Sequence, residues 1–207
     1  KEGAEGIDIM KGEPFDSPQK PFGGDEDFIW TPDSQKIIYV SKKKHGTAYA
    51  TSTNTDLYEY NLATQQTTNL TQDNLGYDTQ PQFSAQGNLA WLQMKRDGYE
   101  AGKNDIIVSF KGTNINLTGG WDGSVDSFKW SADGKKVYFI SAIDGTMQLF
   151  EVNFPGLTRI AINVRQVTTG DFDVTSIVGF VNDVAIVTRT DFNHATEVYS
   201  YHLKNKK

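Results

Sequence analysis

The sequence predicts an all-β protein of the β-propeller class, built from four-stranded antiparallel blades, with about four blades' worth of chain in its 207 residues. Three observations predict this class. An aromatic residue followed by a turn and an apolar run recurs along the chain, two further motifs follow it in fixed order, and the repeat has the length of a four-stranded propeller blade. We find no segment with the apolar periodicity of an amphipathic helix.

The first motif marks the turn between the first two strands of each blade. Its aromatic residues are Trp30, Phe83, Trp130 and Phe180, separated by 53, 47 and 50 residues. The turns Thr-Pro-Asp-Ser and Ser-Ala-Asp-Gly suit this role, because Pro presets φ, Asp caps its own backbone and Gly accommodates a positive φ. The following apolar runs, such as Val137–Ile140, are continuous. They predict a strand buried on both faces between neighbouring blades.

Two other motifs complete the repeat. The third predicted strand is found at Asp56–Tyr60, Asp105–Val108, Gln148–Val152 and Glu197–Tyr201. A closing motif is found at Asn69–Thr71, Asn116–Thr118 and Val167–Thr169. The fixed order predicts blades at 25–75, 76–120 and 121–170 and a partial blade at 171–207. Residues 1–24 are predicted to form a lone strand, Ile7–Met10, and a linker.

The pattern leaves two architectures open. The repeats form either a small closed ring, with the first strand pairing beside the last, or an arc of a larger propeller. An arc exposes raw sheet edges, which favour pairing with another chain and therefore a homodimer. A β-sandwich with accidental periodicity is the alternative fold, but sandwiches show no such phased motif.

Composition excludes several classes of partner and site. The formal net charge is −6 and no Lys/Arg stripe is present, which argues against nucleic acid. The absence of cysteine excludes disulfides, thiolate metal sites and a cysteine nucleophile. No apolar run has the length of a membrane helix, so we expect no membrane partner. We also expect no cofactor. The sequence starts at Lys1 without a signal peptide, as a mature or trimmed chain does.

The repeat and the segments between its motifs resemble a known family. The pattern Trp-Ser-x-Asp-Gly-Lys followed by an apolar run resembles the TolB-like propeller repeat. The more specific stretches are Ser17–Gly24, Met94–Ala101, Trp121–Asp126 and Arg189–Glu197. They resemble the N-terminal propeller of bacterial prolyl oligopeptidase-family serine peptidases, of the dipeptidyl aminopeptidase/acylaminoacyl-peptidase type. The resemblance covers nearly the whole chain.

The resemblance implies a role within a larger peptidase. In that family a C-terminal α/β-hydrolase domain carries the catalytic triad, and the propeller gates access and helps to hold the peptide terminus. The sequence departs from the family by lacking that domain. The resemblance also implies a peptide substrate and a periplasmic or secreted location. The alternative is a TolB-like periplasmic propeller that binds proteins or peptides, and a third option is a carbohydrate-binding propeller that uses Trp121.

The chain contains no recognisable catalytic motif. A nucleophile elbow, Gly-x-Ser-x-Gly, is absent, and the three histidines are scattered at His45, His194 and His202. No EF-hand loop or His-x-x-x-His spacing predicts a metal site. We therefore predict no catalytic residue and no metal ligand in this chain.

The connections between the second and third strands of each blade, here called B–C loops, are the best candidates for binding. They are predicted to be long, at Ser41–Asn54, Lys95–Asn104, Ala142–Met147 and Arg189–Thr196. Binding residues concentrate on loops held by a rigid scaffold. In the second loop Arg96 suits a peptide carboxylate and Glu100 a free amine, with Tyr99 between them. The alternative for this Arg-Asp-Gly stretch is a turn with solvated charges.

Overall fold

The computed structural model describes residues 5–19, 23–158 and 162–204. Within these ranges fifteen strands form four antiparallel sheets, each a meander of consecutive strands. Two short helical turns accompany them, a 3-10 turn at Asp25–Asp27 and α1 at Thr47–Thr51. The predicted all-β propeller class is confirmed. The helix α1 is a feature that the sequence did not predict.

The strands follow the three motifs of the repeat. The first sheet contains β1 Phe28–Trp30, β2 Lys36–Ser41, β3 Asp56–Asn61 and β4 Thr67–Asn69. The second contains β5 Asp78–Phe83, β6 Leu89–Gln93, β7 Asp105–Phe110 and β8 Thr113–Asn116. The third contains β9 Val125–Trp130, β10 Lys136–Ile143, β11 Thr146–Asn153 and β12 Val164–Gln166. The fourth contains β13 Asp173–Val181, β14 Val184–Asp191 and β15 His194–His202.

The chain divides into two compact units. The first comprises Lys1–Pro81 and Lys95–Glu100, and the second comprises Gln82–Met94 and Ala101–Lys207. The tip of the second B–C loop therefore belongs to the same unit as the first sheet.

The core of the second unit consists of apolar faces of the sheets packed on one another. Phe139 is fully buried and stacks on Phe150 with ring centroids 5.5 Å apart. The ring centroid of Trp121 lies 5.2 Å from each of these two rings, so its partly buried side chain packs against this core. A second cluster joins Ile140 and Leu149 of the third sheet to Val187 and other residues of the fourth sheet. Both faces of the third sheet are buried, as its continuous apolar runs predict.

The first unit carries an aromatic cluster under its N-terminal segment. Tyr39 and Tyr58 stack with centroids 5.6 Å apart, and Ile9 and Met10 pack against them. The predicted strand Ile7–Met10 is wrong: no strand is assigned at residues 7–10. Instead the Asp8 carboxylate accepts the amide of Met10 at 2.9 Å, and Met10 O accepts the amide of Glu13. These local bonds form turns, which compete with an extended strand.

A buried side-chain contact closes each of the first three sheets, and we call it the closing contact. In it, a threonine after the fourth strand accepts the backbone amide of a buried apolar residue in the third strand. The distances are 3.0 Å for Leu57 to Thr71, 3.0 Å for Ile106 to Thr118 and 2.9 Å for Leu149 to Thr168. The same hydroxyls donate to Asp56, Asp105 and Gln148. The closing motif of the sequence therefore extends each sheet by a side-chain bond.

The predicted B–C loops differ from the observed connections in two of four cases. The first two are long, as predicted, since β2 ends at Ser41 and β3 begins at Asp56. The connection predicted at Ala142–Met147 is only a two-residue turn of Asp144 and Gly145. Both residues have positive φ, at 49° and 80°, which is the type I′ geometry that Asp-Gly favours in hairpins. The connection predicted at Arg189–Thr196 is likewise a tight turn, after Asp191.

Candidate functional site on the stapled loops

Two long B–C loops meet within the first unit. One spans residues 42–55 and includes α1, and the other contributes Lys95–Glu100. We call these segments the stapled loops, because side-chain hydrogen bonds join them. Neither loop has a strand ladder along most of its length, so its backbone polar groups must find other partners.

Asp97 is the main connection between the stapled loops. Its Oδ1 accepts the hydroxyl of Ser52 at 2.6 Å and the backbone amide of Thr53 at 2.8 Å. The hydrogen bond from Ser52 holds the pKa of Asp97 below its usual range, with further help from backbone amides. Asp97 is therefore ionised at neutral pH and fixes the tip of one loop against the other.

Thr53 adds a second connection next to the first. Its hydroxyl donates to the carbonyl of Arg96 at 3.3 Å and accepts the amide of Gly98 at 3.0 Å. Gly98 has a φ of 70°, and an added Cβ would lie 3.4 Å from the carbonyl oxygen of Thr51. Glycine therefore allows both the left-handed backbone and the close approach of this loop to the end of α1.

Each stapled loop presents a cation stacked on a tyrosine. The guanidinium of Arg96 lies 4.5 Å from the ring centroid of Tyr99, and the ammonium of Lys42 lies 4.9 Å from that of Tyr49. Tyr99 is 45% exposed, so the Arg96–Tyr99 pair stands at the surface with its donors in water. Stacking restricts the guanidinium without using its hydrogen-bond donors.

Glu100, at the end of the same segment, lies near Tyr77. Burial raises the pKa of Tyr77, and the charge of Glu100 raises it further. Glu100 itself is exposed. The structure thus brings Arg96 and Tyr99 into one pair and sets Glu100 next to Tyr77. Their assignment to substrate binding stays a prediction.

The chemistry that this arrangement supports is recognition. A guanidinium with free donors binds a carboxylate by two parallel hydrogen bonds, and an exposed carboxylate pairs with an amine. Both groups stand on a tip whose conformation is set by Asp97 and Thr53. The arrangement therefore suits a peptide terminus that approaches the loops from solvent.

The histidines occupy settings that explain their presence structurally. His45 packs against Phe15 with centroids 4.8 Å apart. His194 contacts Asp191 at 2.8 Å in the β14–β15 turn, where the same carboxylate also accepts two backbone amides. His202 is the last residue of β15 and is exposed. Across residues 5–19, 23–158 and 162–204, no three His, Cys, Asp or Glu side chains are grouped to hold a metal ion.

Comparison with known proteins places this geometry in context. No family model matches the chain. Dipeptidyl-peptidase 5 of Porphyromonas gingivalis is 40% identical over 205 residues, which cover 97% of this chain. This chain is homologous to a part of dipeptidyl-peptidase 5. It spans only 29% of that relative's length.

Solved structures support the fold of this chain. A putative dipeptidyl aminopeptidase IV from Bacteroides ovatus matches with a TM-score of 0.66 at 15% identity, covering 87% of this chain and 32% of that one. A putative TolB from Agrobacterium tumefaciens matches with a TM-score of 0.59 at 20% identity, covering 84% of this chain and 60% of that one. The resemblance to TolB-like and peptidase propellers is confirmed. Among the described residues, no helix has the length and apolar character to cross a membrane.

Sequence reasoning missed the residues that hold the site together. The sequence indicates no role for Asp97 beyond an Arg-Asp-Gly turn, for which solvated charges are the alternative, and it singles out neither Ser52 nor Thr53. The signal was present, because Ser52–Thr55 is a run of four small polar residues, all of them buried in the structure. Buried polar side chains in a loop need partners, and a nearby Asp-Gly tip is a natural one.

Proposed function

We propose that this chain is the non-catalytic propeller part of a serine exopeptidase of the dipeptidyl-peptidase type, in which it gates substrate access and helps to bind the peptide terminus. The homology to part of dipeptidyl-peptidase 5 supports the assignment to a peptidase. The length of that relative supports the presence of further domains in the parent protein, and we propose a C-terminal α/β-hydrolase domain as the catalytic partner.

The stapled loops are the part of the chain that we propose to bind the peptide terminus. Arg96 is held over Tyr99 on a tip that Asp97 and Thr53 fix in place. A preorganised cation loses little conformational entropy when it binds, so a short peptide gains affinity from it. We propose that Arg96 and Tyr99 contact the carboxylate or the last carbonyl groups of the peptide, and that Glu100 contacts an amine.

The test uses the full-length parent peptidase with a dipeptidyl substrate series. Arg96→Gln is expected to raise KM about tenfold and leave kcat nearly unchanged, because it removes charge-assisted hydrogen bonds made with both substrate and transition state. Tyr99→Ala is expected to act in the same direction with a smaller effect. Lys135→Gln is the matched control, because that side chain is 81% exposed in a turn of the third sheet.

Equal KM values for the Arg96→Gln and Lys135→Gln enzymes would contradict the role of the stapled loops. The 207-residue chain alone is expected to hydrolyse no peptide, and measurable hydrolysis by it would overturn the non-catalytic assignment. The sequence of the parent gene after residue 207 separates this proposal from a TolB-like binding module. A hydrolase domain with a Gly-x-Ser-x-Gly motif supports the peptidase, and a stop codon supports the binding module.

We also propose that the parent protein acts in the periplasm or is secreted, as its family resemblance implies. Fractionation of cells that express the parent, with a cytoplasmic marker followed in parallel, tests this location. Recovery of the parent with the cytoplasmic marker would contradict it.

A further inference from the structure

The stapled loops carry a net positive charge, whereas the chain as a whole is negative. The formal net charge of the chain is −6, with 26 acidic residues and 20 Lys or Arg. In residues 42–55 and 95–100, by contrast, five side chains are Lys or Arg and two are Asp or Glu. A local patch of opposite sign raises the concentration of anions next to it. The sign of the charge therefore favours an anionic ligand at the stapled loops.

Most of these cations have no counter-ion within the protein. Lys43 is the exception, since its ammonium pairs with the Glu13 carboxylate. In the ranges that the structure describes, the other four form no ion pair, and they are Lys42, Lys44, Lys95 and Arg96. The Asp97 carboxylate is already occupied, because it accepts hydrogen bonds from the first loop. Four cations of the stapled loops are therefore available to a ligand.

Two of these four cations are held by tyrosines, one on each loop. The Lys42 ammonium lies 4.9 Å from the ring centroid of Tyr49, and Arg96 stacks on Tyr99 at 4.5 Å. Both rings are partly open to solvent, since Tyr49 is 37% and Tyr99 45% exposed. Stacking orients a flexible cation and leaves its N–H donors free. The terminus-binding role proposed above uses the Arg96–Tyr99 pair and gives the Lys42–Tyr49 pair no role.

The contacts between the loops keep the two pairs close together. A Cβ on Gly98 would lie 3.4 Å from the carbonyl oxygen of Thr51. Tyr49 is two residues before Thr51 in α1, and Tyr99 follows Gly98 directly. With standard backbone dimensions, these steps place the Cα atoms of Tyr49 and Tyr99 within about 17 Å of each other, which about five residues of extended peptide cover. One short peptide can therefore reach both cations.

We infer that the Lys42–Tyr49 pair is a second anion-binding subsite, which gives the stapled loops a preference for peptides with an acidic side chain within about four residues of the C-terminal carboxylate. Arg96 binds the terminal carboxylate by two parallel hydrogen bonds, and the Lys42 ammonium binds the Asp or Glu side chain. The inference rests on the proposed function, since it names the substrate class of the same terminus-binding site.

An acidic peptide fits this surface better than a long polyanion does. The two oriented cations are separated by the length of a short peptide, and each takes one carboxylate. Binding along a nucleic-acid backbone instead requires a stripe of many Lys and Arg side chains, and the sequence contains no such stripe.

The test uses the full-length parent peptidase and hexapeptides in matched pairs. In each pair, a glutamate one, two or three residues before the C-terminal residue is replaced by glutamine, which keeps the shape and removes the charge. We expect KM to be about fivefold lower for the glutamate peptide at the placement that fits, as a partly exposed charge pair provides. Added salt should reduce this preference, because the subsite is open to solvent.

Lys42→Gln is expected to abolish the glutamate preference. It removes the second cation, so the two members of a pair should then have equal KM values. Tyr49→Leu should reduce the preference in part, because Lys42 loses the ring that orients it. Lys135→Gln is the matched control, since it makes the same chemical change at a side chain that is 81% exposed, and it should keep the full preference.

Arg96→Gln separates this inference from the proposed function. It should raise KM for both members of a pair, because both carry the terminal carboxylate. If it changes neither KM, the proposed terminus-binding role fails. If it raises both but the unmodified enzyme shows no glutamate preference at any of the three placements, the second subsite is overturned and the terminus-binding role stands.

A glutamate preference that survives Lys42→Gln would also overturn the second subsite, because another group would then bind the acidic side chain. Calorimetric titration of the parent protein with the same peptide pairs gives a readout that needs no hydrolysis. The same fivefold ratio is expected in Kd, and equal Kd values for all three pairs would contradict the inference even if the parent cleaves none of the hexapeptides.

Discussion

In every sheet a B–C connection joins the second strand to the third. The first two sheets use long loops for this connection, whereas the last two use two-residue turns. The connection between β10 and β11 is a two-residue turn whose backbone groups remain in the ladder up to the pair Ile143 and Thr146. The stapled loops leave the ladder for many residues and depend on Asp97, Ser52 and Thr53 for their connections. A long connection at this position therefore requires dedicated side-chain hydrogen bonds.

The difference separates scaffold from candidate site. A tight hairpin turn offers few side chains to a ligand and needs only the right backbone conformation. A long loop loses conformational entropy on folding and must regain it from specific contacts. The stapled loops make such contacts and still leave Arg96 and Tyr99 directed to solvent, which is the arrangement expected of a binding rim.

The largest effect is expected at the hairpin turn. Gly145 has a φ of 80°, so Gly145→Val forces a β-branched residue into the left-handed region and should destabilise the chain by about 2 kcal/mol. Space is not the limitation, since an added Cβ has no atom within 4 Å. Urea denaturation measures the change. Asp144→Asn is the control and should be nearly neutral, because Asn tolerates the same region.

A smaller loss of stability is expected when the Asp97 hydrogen bonds between the stapled loops are removed. Asp97→Ala removes the acceptor for Ser52 and Thr53 at a site open to solvent, so we expect a loss of about 1 kcal/mol in urea denaturation. The loop tip should also become more sensitive to limited proteolysis after Lys95 or Arg96. Ser52→Ala removes one of these donors only and should show a milder change in both measurements. Unchanged proteolysis in the Asp97→Ala chain would show that Asp97 does not hold the loop tip in place.

The lowered pKa of Asp97 sets the pH range in which its hydrogen bonds to Ser52 and Thr53 stabilise the stapled loops. A carboxylate whose pKa is lower in the folded chain contributes stability above its unfolded pKa and loses it as the pH falls through the folded value. The Thr53 amide should therefore keep its NMR shift down to a pH below the usual aspartate range and then move. The Asp97→Asn chain has no charge to titrate, so the same movement in that chain would assign it to another group.

The sequence predicted the sheets far better than the loops, for physical reasons. The aromatic and closing motifs are local patterns that dictate strands and turns wherever they occur, and Thr118 and Thr168 make the same bond. The loop tip depends on a partner more than 40 residues away, since Asp97 binds Ser52 and Thr53. Local patterns do not specify such pairs. The two-residue turn at Asp144 is predictable from the sequence, because Asp-Gly is itself a hairpin signal.

We expect the tip of the β14–β15 turn in the second unit to bind no peptide. Phe192 is fully exposed at the tip of the β14–β15 turn and borders a cavity of about 640 Å³ that also includes Asp171 and Asp173. Phe192→Ala removes no buried contact, so the free energy of unfolding should change by less than about 0.5 kcal/mol. If the stapled loops bind the peptide, the parent enzyme with Phe192→Ala should keep its KM. A KM increase as large as that of Arg96→Gln would move the peptide site to this cavity, because an exposed aromatic beside carboxylates suits a peptide with an apolar residue next to its free amine.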